Sequence, residues 1–376
     1  MDYVMLKDVC AINMGQSPDS SSYNDTGDGV PFFQGNADFG ERYPITRKWC
    51  SAPTKMAAPD DILISVRAPI GAMNYARESC CIGRGLAAIT PNKSKVSSEF
   101  IFWLLKGKNQ ELNSKGTGST FKAIGRKVLE ETLVPDISLE KQTEYSAILE
   151  KVYAVIQARK AELQKLDELI KARFVELFGD PVTNPHGFEK VALSDLAEIK
   201  IGPFGSLLHK EDYIEGGHAL VNPSHIVDGK VSVDEKLTVS DDKFAELSAY
   251  HLQVGDVVMG RRGEMGRCAV VLDDGLLCGT GSLLIRTKGE VTADYIQKII
   301  SFPSFKKTIE DMAVGQTMPN LNVPIVSGFQ IIKPPMEVQR AYYKFVEQLD
   351  KSKVVVQKAL DEAQLLFDSL MQQYFG

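Results

Sequence analysis

The sequence predicts an α+β protein, with two similar globular, strand-rich halves in tandem joined by two long helices that form an antiparallel coiled coil. Three observations support this prediction. The chain repeats itself at an offset of 195 to 197 residues, each half opens with short apolar runs between glycine- and proline-rich turns, and each half closes with a heptad pattern. With 376 residues, 44% of them apolar, the chain is long enough for two or three domains with their own cores.

The repeat consists of five blocks that occur in the same order in both halves. The matching residues are 61–71 with 256–266, 83–89 with 279–285, 118–124 with 315–321, 140–142 with 337–339, and 178–179 with 375–376. Five blocks in register favour a tandem duplication over a chance match of glycine-rich turns.

Each half opens with a region rich in strands and turns. Apolar runs ahead of Gly/Pro turns predict strands, and the longer apolar stretches predict short helices. The predicted strands are 61–66 and 256–259, the short helices 100–106 and 295–301, and the glycine loops 116–120 and 315–317. We therefore expect globular domains over residues 1–137 and 180–336, with the Pro- and Asn-rich stretch 180–190 as the loop into the second.

A long helix is predicted at the end of each half, over residues 138–179 and 337–376. Ser138 has the chemistry of an N-cap, and Gly179 followed by Pro181 marks the C-terminal end of the first helix. The second helix begins after Pro334 and Pro335.

The two long segments carry apolar residues on a seven-residue pattern. In the two heptad rows, 17 of the 20 positions are apolar, which predicts a coiled-coil seam. The seam residues are Leu149, Val152, Ile156, Leu163, Leu166, Ile170, Val346, Leu349, Val356, Leu360, Phe367 and Leu370. Because a helix with one apolar seam is marginal alone in water, we expect the two to pack together, antiparallel, with a globular domain at each end.

Composition argues against several other classes of protein. The six cysteines form no CxxC pair and the five histidines form no ligand-spaced cluster, so we expect no metal site, no disulfides and a reducing cytoplasm. The N-terminus lacks the pattern of a signal peptide, and no stretch is long and apolar enough for a membrane span, so we expect no membrane association. The formal net charge of −6 is unusual for a solitary DNA-binding domain.

Two variable globular domains, each followed by a long helix, resemble the specificity subunit of type I restriction–modification enzymes. The segment from Leu177 to Pro185, the Gly-Asp-Val-Val strand start at Gly255, and the loops at Gly118 and Gly315 are similar to segments of that family. The resemblance covers the whole chain. It implies two target recognition domains that read a bipartite, asymmetric site in double-stranded DNA. It also implies helices that act as a ruler and as a docking surface for two methyltransferase (M) subunits, together with restriction/translocase (R) subunits.

Motifs for the chemistry of such complexes are missing from the sequence. We find no S-adenosylmethionine loop and no Asn/Asp-Pro-Pro-Tyr/Phe step, and the Pro-Pro at Pro334 follows Lys333. The phosphate-binding G-x-x-x-x-G-K-[ST] is absent, and Asp136 followed by Glu140 and Lys141 has the wrong spacing for a nuclease. We therefore expect a chain that binds without catalysing a reaction and that needs no cofactor.

Reading DNA requires cations for phosphate groups and planar donors for base edges. The candidate DNA-binding residues are Arg67, Arg84, Lys115, Lys122 and Arg126 in the first half, and Arg261, Arg262, Arg267 and Gln316 in the second. Each of these also fits a solvated surface charge, and the equivalence of Arg67 and Arg262 also fits a shared structural role. Residues 180–336 carry 15 Lys/Arg against 21 Asp/Glu, so partner subunits would supply most of the electrostatic affinity.

Two alternatives remain open from the residues alone. A coiled-coil scaffold whose globular ends bind protein suits the charge balance and is equally compatible with the duplication. A catalytic restriction or methyltransferase subunit is disfavoured by the missing motifs. Salt-dependent binding to DNA distinguishes a DNA-binding subunit from a scaffold.

Overall fold

The computed structural model describes residues 2–118, 122–313 and 320–376. The chain divides into two compact units. Unit 1 comprises Met1–Leu163 and Val354–Gly376, and unit 2 comprises Gln164–Lys353. Each unit contains both sheets and helices, which confirms the predicted α+β class.

Unit 1 opens with short strands connected by turns and short helices. Its strands are β1 (Tyr3–Met5), β2 (Cys10–Met14), β3 (Tyr23–Asn24), β4 (Val30–Phe33), β5 (Trp49–Cys50), β6 (Met56–Ala57), β7 (Ile62–Ser65), β8 (Met73–Tyr75), β9 (Cys80–Ile82), β10 (Leu86–Pro91) and β11 (Leu133–Pro135). Its helices are α1 (Leu6–Val9), α2 (Ser98–Gly107), α3 (Asn109–Ser114), α4 (Arg126–Glu130) and the part of α5 (Leu139–Phe178) up to Leu163.

Two sheets form the body of unit 1. One is antiparallel with strand order β2-β10-β7-β8, and the other has the order β3-β5-β4-β9-β6 with a parallel β4–β9 pair. Helix α2 has six consecutive buried residues, 100–105, and packs with Ile62, Ile64 and Ile89 of the first sheet in one apolar core. A helix that is apolar on all sides requires burial on all sides, and this core provides it.

Unit 2 begins in α5 at Gln164. Its strands are β12 (Glu189–Ala192), β13 (Ala197–Ile201), β14 (Tyr213–Ile214), β15 (His218–Val221), β16 (Ile226–Val227), β17 (Lys230–Val231), β18 (Thr238–Val239), β19 (His251–Leu252), β20 (Val257–Gly260), β21 (Cys268–Val270), β22 (Leu276–Cys278), β23 (Ser282–Thr287) and β24 (Gln330–Lys333). Its helices are α6 (Leu193–Leu196), α7 (Asp241–Glu246), α8 (Ala293–Ile300), α9 (Pro303–Met312), α10 (Val323–Ser327) and the part of α11 (Met336–Phe375) up to Lys353.

The sheets of unit 2 repeat the topology of unit 1. One four-stranded sheet has the order β13-β23-β20-β21, and a five-stranded sheet has the order β14-β18-β15-β22-β19, again with a parallel pair, β15–β22. The additional β16–β17 hairpin lies where the second half has extra residues. The equivalent strand orders confirm that the chain is a tandem duplication.

Within unit 1, the segments of α5 and α11 run antiparallel. Tyr145, early in α5, stacks on Tyr374, late in α11, with ring centroids 3.9 Å apart, and further along Tyr153 lies 6.0 Å from Phe367. Of the predicted seam residues in this unit, Leu149, Ile156, Val356, Leu360 and Phe367 are buried, and Val152, Leu163 and Leu370 are half-buried.

Within unit 2, the two helix segments also run antiparallel. Tyr342 of α11 packs edge-on against Phe174 and Phe178 of α5, with centroids 5.6 and 5.4 Å away, and Lys353 forms an ion pair with Asp167 at 2.6 Å. Of the predicted seam residues here, Ile170 is buried, and Leu166, Val346 and Leu349 are half-buried.

A buried glutamine connects each globular body to the start of its long helix. The Gln142 Oε1 accepts from the Ser97 N–H at 2.9 Å, and its Nε2 donates to the carbonyls of Lys95 and Ile137. Ser97 is the N-cap of α2, so the same residue that starts α2 is held by α5.

The equivalent glutamine makes two of these three contacts in unit 2. The Gln339 Oε1 accepts from the N–H of Thr292, the N-cap of α8, at 3.1 Å, and its Nε2 donates to the Pro334 carbonyl at 3.0 Å. The Glu-x-Gln block of the repeat therefore marks a structural joint in both units.

Candidate nucleic-acid interface

Backbone hydrogen bonds hold three loops of unit 1 and the end of β4 together. The Val66 N–H donates to the Gly85 carbonyl, and the Ile124 N–H donates to the Val66 carbonyl, both at 2.9 Å. The Gly83 N–H donates to the Phe33 carbonyl at 2.8 Å. We call these connected segments the loop frame, which in unit 1 comprises residues 33–36, 66–68, 83–85 and 122–124.

Unit 2 builds its loop frame with the same three hydrogen bonds. The Arg261 N–H donates to the Gly281 carbonyl at 3.0 Å, the Leu321 N–H to the Arg261 carbonyl at 2.9 Å, and the Gly279 N–H to the Val221 carbonyl at 3.0 Å. The loop frame of unit 2 comprises residues 221–224, 261–263, 279–281 and 320–321. The two frames are equivalent in backbone and differ in the side chains they present.

Glycines allow the segments of each frame to approach closely. A Cβ on Gly85 would lie 2.3 Å from the Gln34 carbonyl oxygen, and a Cβ on Gly279 would lie 2.3 Å from the Asn222 Oδ1. The Asn222 side chain could rotate away, but a Cβ on Gly279 would also lie 2.8 Å from the Val221 carbonyl oxygen, so at both turns a residue other than glycine requires a shift of the neighbouring backbone. The Gly-x-Gly pattern that the repeat analysis found at both places therefore has a steric cause.

Three of the five cations predicted in unit 1 lie on its loop frame. Arg67, Arg84 and Lys122 are exposed, and the side chains of all three make no hydrogen bond or ion pair with any of the described residues. Arg67 forms a backbone bridge with Ala123, and the Ala68 N–H donates to the Lys122 carbonyl at 3.0 Å, which brings Arg67 and Lys122 onto neighbouring backbone. This cluster is available for anionic groups such as DNA phosphates.

The other two predicted cations of unit 1 flank the frame and are paired with carboxylates. The Lys115 Nζ lies 2.6 Å from the Glu111 carboxylate, which lowers the pKa of Glu111, and the Arg126 Nε lies 2.7 Å from Glu130. Exposed pairs of this kind contribute little to stability and can open, but their net charge is close to zero. These two residues are weaker candidates for phosphate contact than Arg67 or Lys122.

In unit 2, Arg261 and Arg262 occupy the turn after β20. Arg262 is the structural equivalent of Arg67: it is exposed, forms a backbone bridge with Asn320, and has no side-chain partner among the described residues. The Arg261 Nε donates to the Asn320 Oδ1 at 3.1 Å, and burial, together with the neighbouring charge of Arg262, lowers its pKa. In the frame of unit 2, therefore, the Arg261 side chain is hydrogen-bonded to Asn320, whereas the Arg262 side chain has no partner among the described residues.

Arg267 is committed to contacts within the protein. Its guanidinium pairs with Glu264 at 2.9 Å and donates to the Pro223 carbonyl at 3.1 Å, and Glu264 also binds Lys306 at 3.0 Å. These cations lower the pKa of Glu264. Gln316, the ninth predicted residue, lies outside the described residues.

Two amide side chains on the loop frames, Gln34 and Asn222, are not among the residues that the sequence predicts. Each is the first residue after a strand, β4 in unit 1 and β15 in unit 2. The two residues are 188 positions apart, whereas Gly83 and Gly279 are 196 apart, so a search at a constant offset passes over them. An internal comparison that allows an insertion before β22 would have aligned them.

The arrangement is suited to binding, and the part of the chain that the structure describes shows no candidate metal site. No group of three or more His, Cys, Asp or Glu side chains there could hold a metal ion. All six cysteines are buried and unpaired, and burial raises the pKa of the thiols of Cys10 and Cys80 to about 12. No described helix has both the length and the apolar character needed to cross a bilayer.

Comparison with known families agrees with this picture. The family model described as the type I restriction modification DNA specificity domain matches residues 1–168 and again residues 185–363. The two matches cover most of the chain, and the protein therefore belongs to the family of type I restriction–modification specificity subunits.

Individual relatives show how far the similarity extends. The putative type I restriction enzyme MjaX specificity subunit of Methanocaldococcus jannaschii is 43% identical over 160 residues, which are 43% of this chain and 38% of that protein. The EcoBI specificity subunit of Escherichia coli is 18% identical over 98% of this chain and 83% of its own length. A crystal structure of the S subunit from M. genitalium has the same fold, with a TM-score of 0.60 at 14% identity, covering 100% of this chain and 96% of that one.

Proposed function

We propose that this chain is the DNA-sequence-specificity subunit of a type I restriction–modification complex and that it reads a bipartite, asymmetric site in double-stranded DNA. Its recognition domains are residues 1–137 and 180–336, and its spacer helices are residues 138–179 and 337–376. The observation that carries the proposal is the duplicated loop frame, which has the same backbone hydrogen bonds in both units and different side chains.

Different side chains on equivalent backbone support two different half-sites. Arg84 in unit 1 corresponds to Thr280 in unit 2, and Ala123 corresponds to Asn320. Base pairs differ in the donors, acceptors and methyl groups that they present in the major groove. Two frames with unlike donors and acceptors therefore select unlike base sequences, which makes the complete site asymmetric.

Contacts from the charged side chains on the frames to DNA phosphates contribute to affinity for DNA and not to sequence discrimination. Arg67, Lys122 and Arg262 supply exposed positive charge to phosphates, although the whole chain has a net charge of −6. A chain with a net negative charge gains little binding free energy from DNA phosphates overall. We therefore expect the assembled complex, and not the isolated chain, to bind DNA tightly.

The partners in this proposal are two methyltransferase subunits and the restriction/translocase subunits, in the cytoplasm. Within unit 1, α11 has exposed apolar side chains at Val354, Val355, Leu365 and Leu366, and residues eleven apart fall on one face of a helix. An exposed apolar face on a long helix supports a docking role. Six unpaired cysteines support a reducing compartment. The chain itself catalyses no step and needs no cofactor, because the chemistry belongs to the partners.

The test is selection of DNA from a random pool by this chain co-purified with its methyltransferase partner. We expect a consensus with two specified half-sites separated by unspecified bases, and binding that weakens as salt rises. The methyltransferase purified without this chain is the control and should enrich no such sequence. A complex that enriches no sequence while still binding other proteins would contradict the proposal and support the scaffold alternative.

A further inference from the structure

Gln34 and Asn222 occupy one equivalent position in the two loop frames. Each directly follows the strand residue whose carbonyl accepts the hydrogen bond from the first glycine of the Gly-x-Gly turn, Phe33 in unit 1 and Val221 in unit 2. Both side chains are amides although the surrounding residues differ between the halves.

The Gly-x-Gly turn packs directly against each of these residues. In unit 1, a Cβ on Gly83 would lie 3.1 Å from the Gln34 Cα and 3.2 Å from its Cγ, and a Cβ on Gly85 would lie 2.3 Å from the Gln34 carbonyl oxygen. In unit 2, a Cβ on Gly279 would lie 2.3 Å from the Asn222 Oδ1. The glycine turn therefore packs against the Gln34 backbone in unit 1. In unit 2 it packs against the Asn222 side-chain oxygen and the carbonyl oxygen of the preceding residue, Val221, which a Cβ on Gly279 would approach to 2.8 Å.

The amide groups themselves are unused within the described protein. Neither the Gln34 nor the Asn222 side-chain amide forms a hydrogen bond with any described residue. Their backbone groups do: the Gln34 N–H donates to Asp38, and Asn222 exchanges hydrogen bonds with His225 through its N–H and its carbonyl. Gln34 is exposed and Asn222 is half-buried. Each frame thus carries one amide without a described side-chain partner, together with an exposed cation, Arg67 in unit 1 and Arg262 in unit 2.

We propose that Gln34 and Asn222 are specificity-determining residues that each read an adenine in the major groove, one in each half-site. A planar amide pairs with adenine through two hydrogen bonds, accepting from N6 and donating to N7. Neighbouring arginine and lysine side chains contact phosphates and hold the frame in register. This inference rests on the proposed function and adds the chemical identity of one base pair in each half.

The test uses the complete complex with its methyltransferase partner and compares binding to the wild-type site with binding to every single-base variant of it. The substitution Gln34→Ala should reduce discrimination at one A·T pair of one half-site by roughly 5- to 150-fold and leave the other half-site unchanged. Asn222→Ala should do the same in the other half. Gln110→Ala, which alters an exposed glutamine of α3 outside the frame, is the matched control and should change neither.

A second pair of variants separates base reading from a structural role. Gln34→Glu and Asn222→Asp keep size and shape but replace the donor with an acceptor, so the preferred base at that position should change from adenine to cytosine, whose N4 amine donates. A damaged frame would weaken binding to all sequences without creating a new preference.

The outcomes are distinguishable from failure of the proposed function. If the wild-type complex selects no sequence, the proposed function is wrong. If it selects a bipartite site but that site lacks an A·T pair in either half, or if the variants weaken all sequences equally with no change of preference, then the assignment of Gln34 and Asn222 is wrong and the proposed function stands.

Discussion

Single cations on and beside the loop frame of unit 1 differ chiefly in whether a carboxylate lies within reach. Arg67, on the frame, has none among the described residues, whereas Arg126, which flanks the frame, pairs with Glu130 at 2.7 Å. Both are exposed arginines in the same recognition domain. They therefore form a natural pair for measuring what an open positive charge contributes to DNA binding.

We expect Arg67→Ala to weaken binding of the complex to all DNA sequences and to reduce the slope of log affinity against log salt by about one. The physical reason is the loss of one phosphate contact and its released counterion. Arg126→Ala should change the slope by less, because Glu130 already offsets its charge. Fluorescence anisotropy titrations over a range of salt concentrations measure both. Equal slopes for the two variants would show that carboxylate pairing does not distinguish these sites.

At the scale of elements, Gln142 and Gln339 join a short helix to a long one in each unit. Gln142 is 1% exposed and Gln339 is 0% exposed, and each holds the N-cap residue of a short helix, Ser97 or Thr292. Burying an amide is favourable only when its donor and acceptor are used, and both are. We therefore expect these hydrogen bonds to contribute to the stability of the joint.

We expect Gln142→Leu to destabilise unit 1 by about 2–4 kcal/mol, because it leaves the Ser97 N–H and the Lys95 and Ile137 carbonyls without their partner. Hydrogen exchange should accelerate for amides in α2 and remain unchanged in α8. Gln339→Leu should give the reciprocal pattern, so each variant is the control for the other. Unchanged protection of α2 in Gln142→Leu would mean that the joint is held by packing alone.

At the scale of the whole molecule, duplication gives two units with equivalent topology and separate cores. Strand orders are the same in both, and each unit holds its own loop frame and its own segment of paired helices. Because the cores are separate, a change of side chains in one unit does not require repacking of the other.

Exchanging residues 1–137 for the equivalent region of another family member should therefore change one half-site and leave the second half-site intact. The exchange ends before α5, so Gln142 and the seam residues stay native, and the incoming region must supply the backbone partners that Gln142 finds at Lys95, Ser97 and Ile137. Methylation mapping in a host that carries the hybrid and its methyltransferase partner provides the measurement, and exchange of residues 180–336 is the matching control. A simultaneous change in both half-sites would show that the two frames do not read independently.

The sequence by itself determined the duplication, the α+β class and the two long helices. These features repeat over many residues: five blocks in register and a heptad pattern are visible whatever the chain contacts, since periodicity follows from helix and strand geometry. Two of the three polar interruptions of the seam also have local explanations, because Arg159 and Arg173 pair with Glu162 and Glu176 on their own helix. The third, Lys353, pairs with Asp167 across the two helices, which depends on the tertiary structure.

Only the tertiary structure decided which side chains share a loop frame and which cations have no ion-pair or hydrogen-bond partner among the described residues. Arg84 and Arg267 are both arginines directly beside glycines in the sequence, yet the Arg84 side chain has no described partner while Arg267 binds Glu264 and the Pro223 carbonyl. Gln34 reaches the Gly-x-Gly turn only through the parallel β4–β9 pairing, which joins strands far apart in sequence. Such contacts depend on strand pairing between segments that are distant in sequence, and local sequence patterns do not predict that pairing.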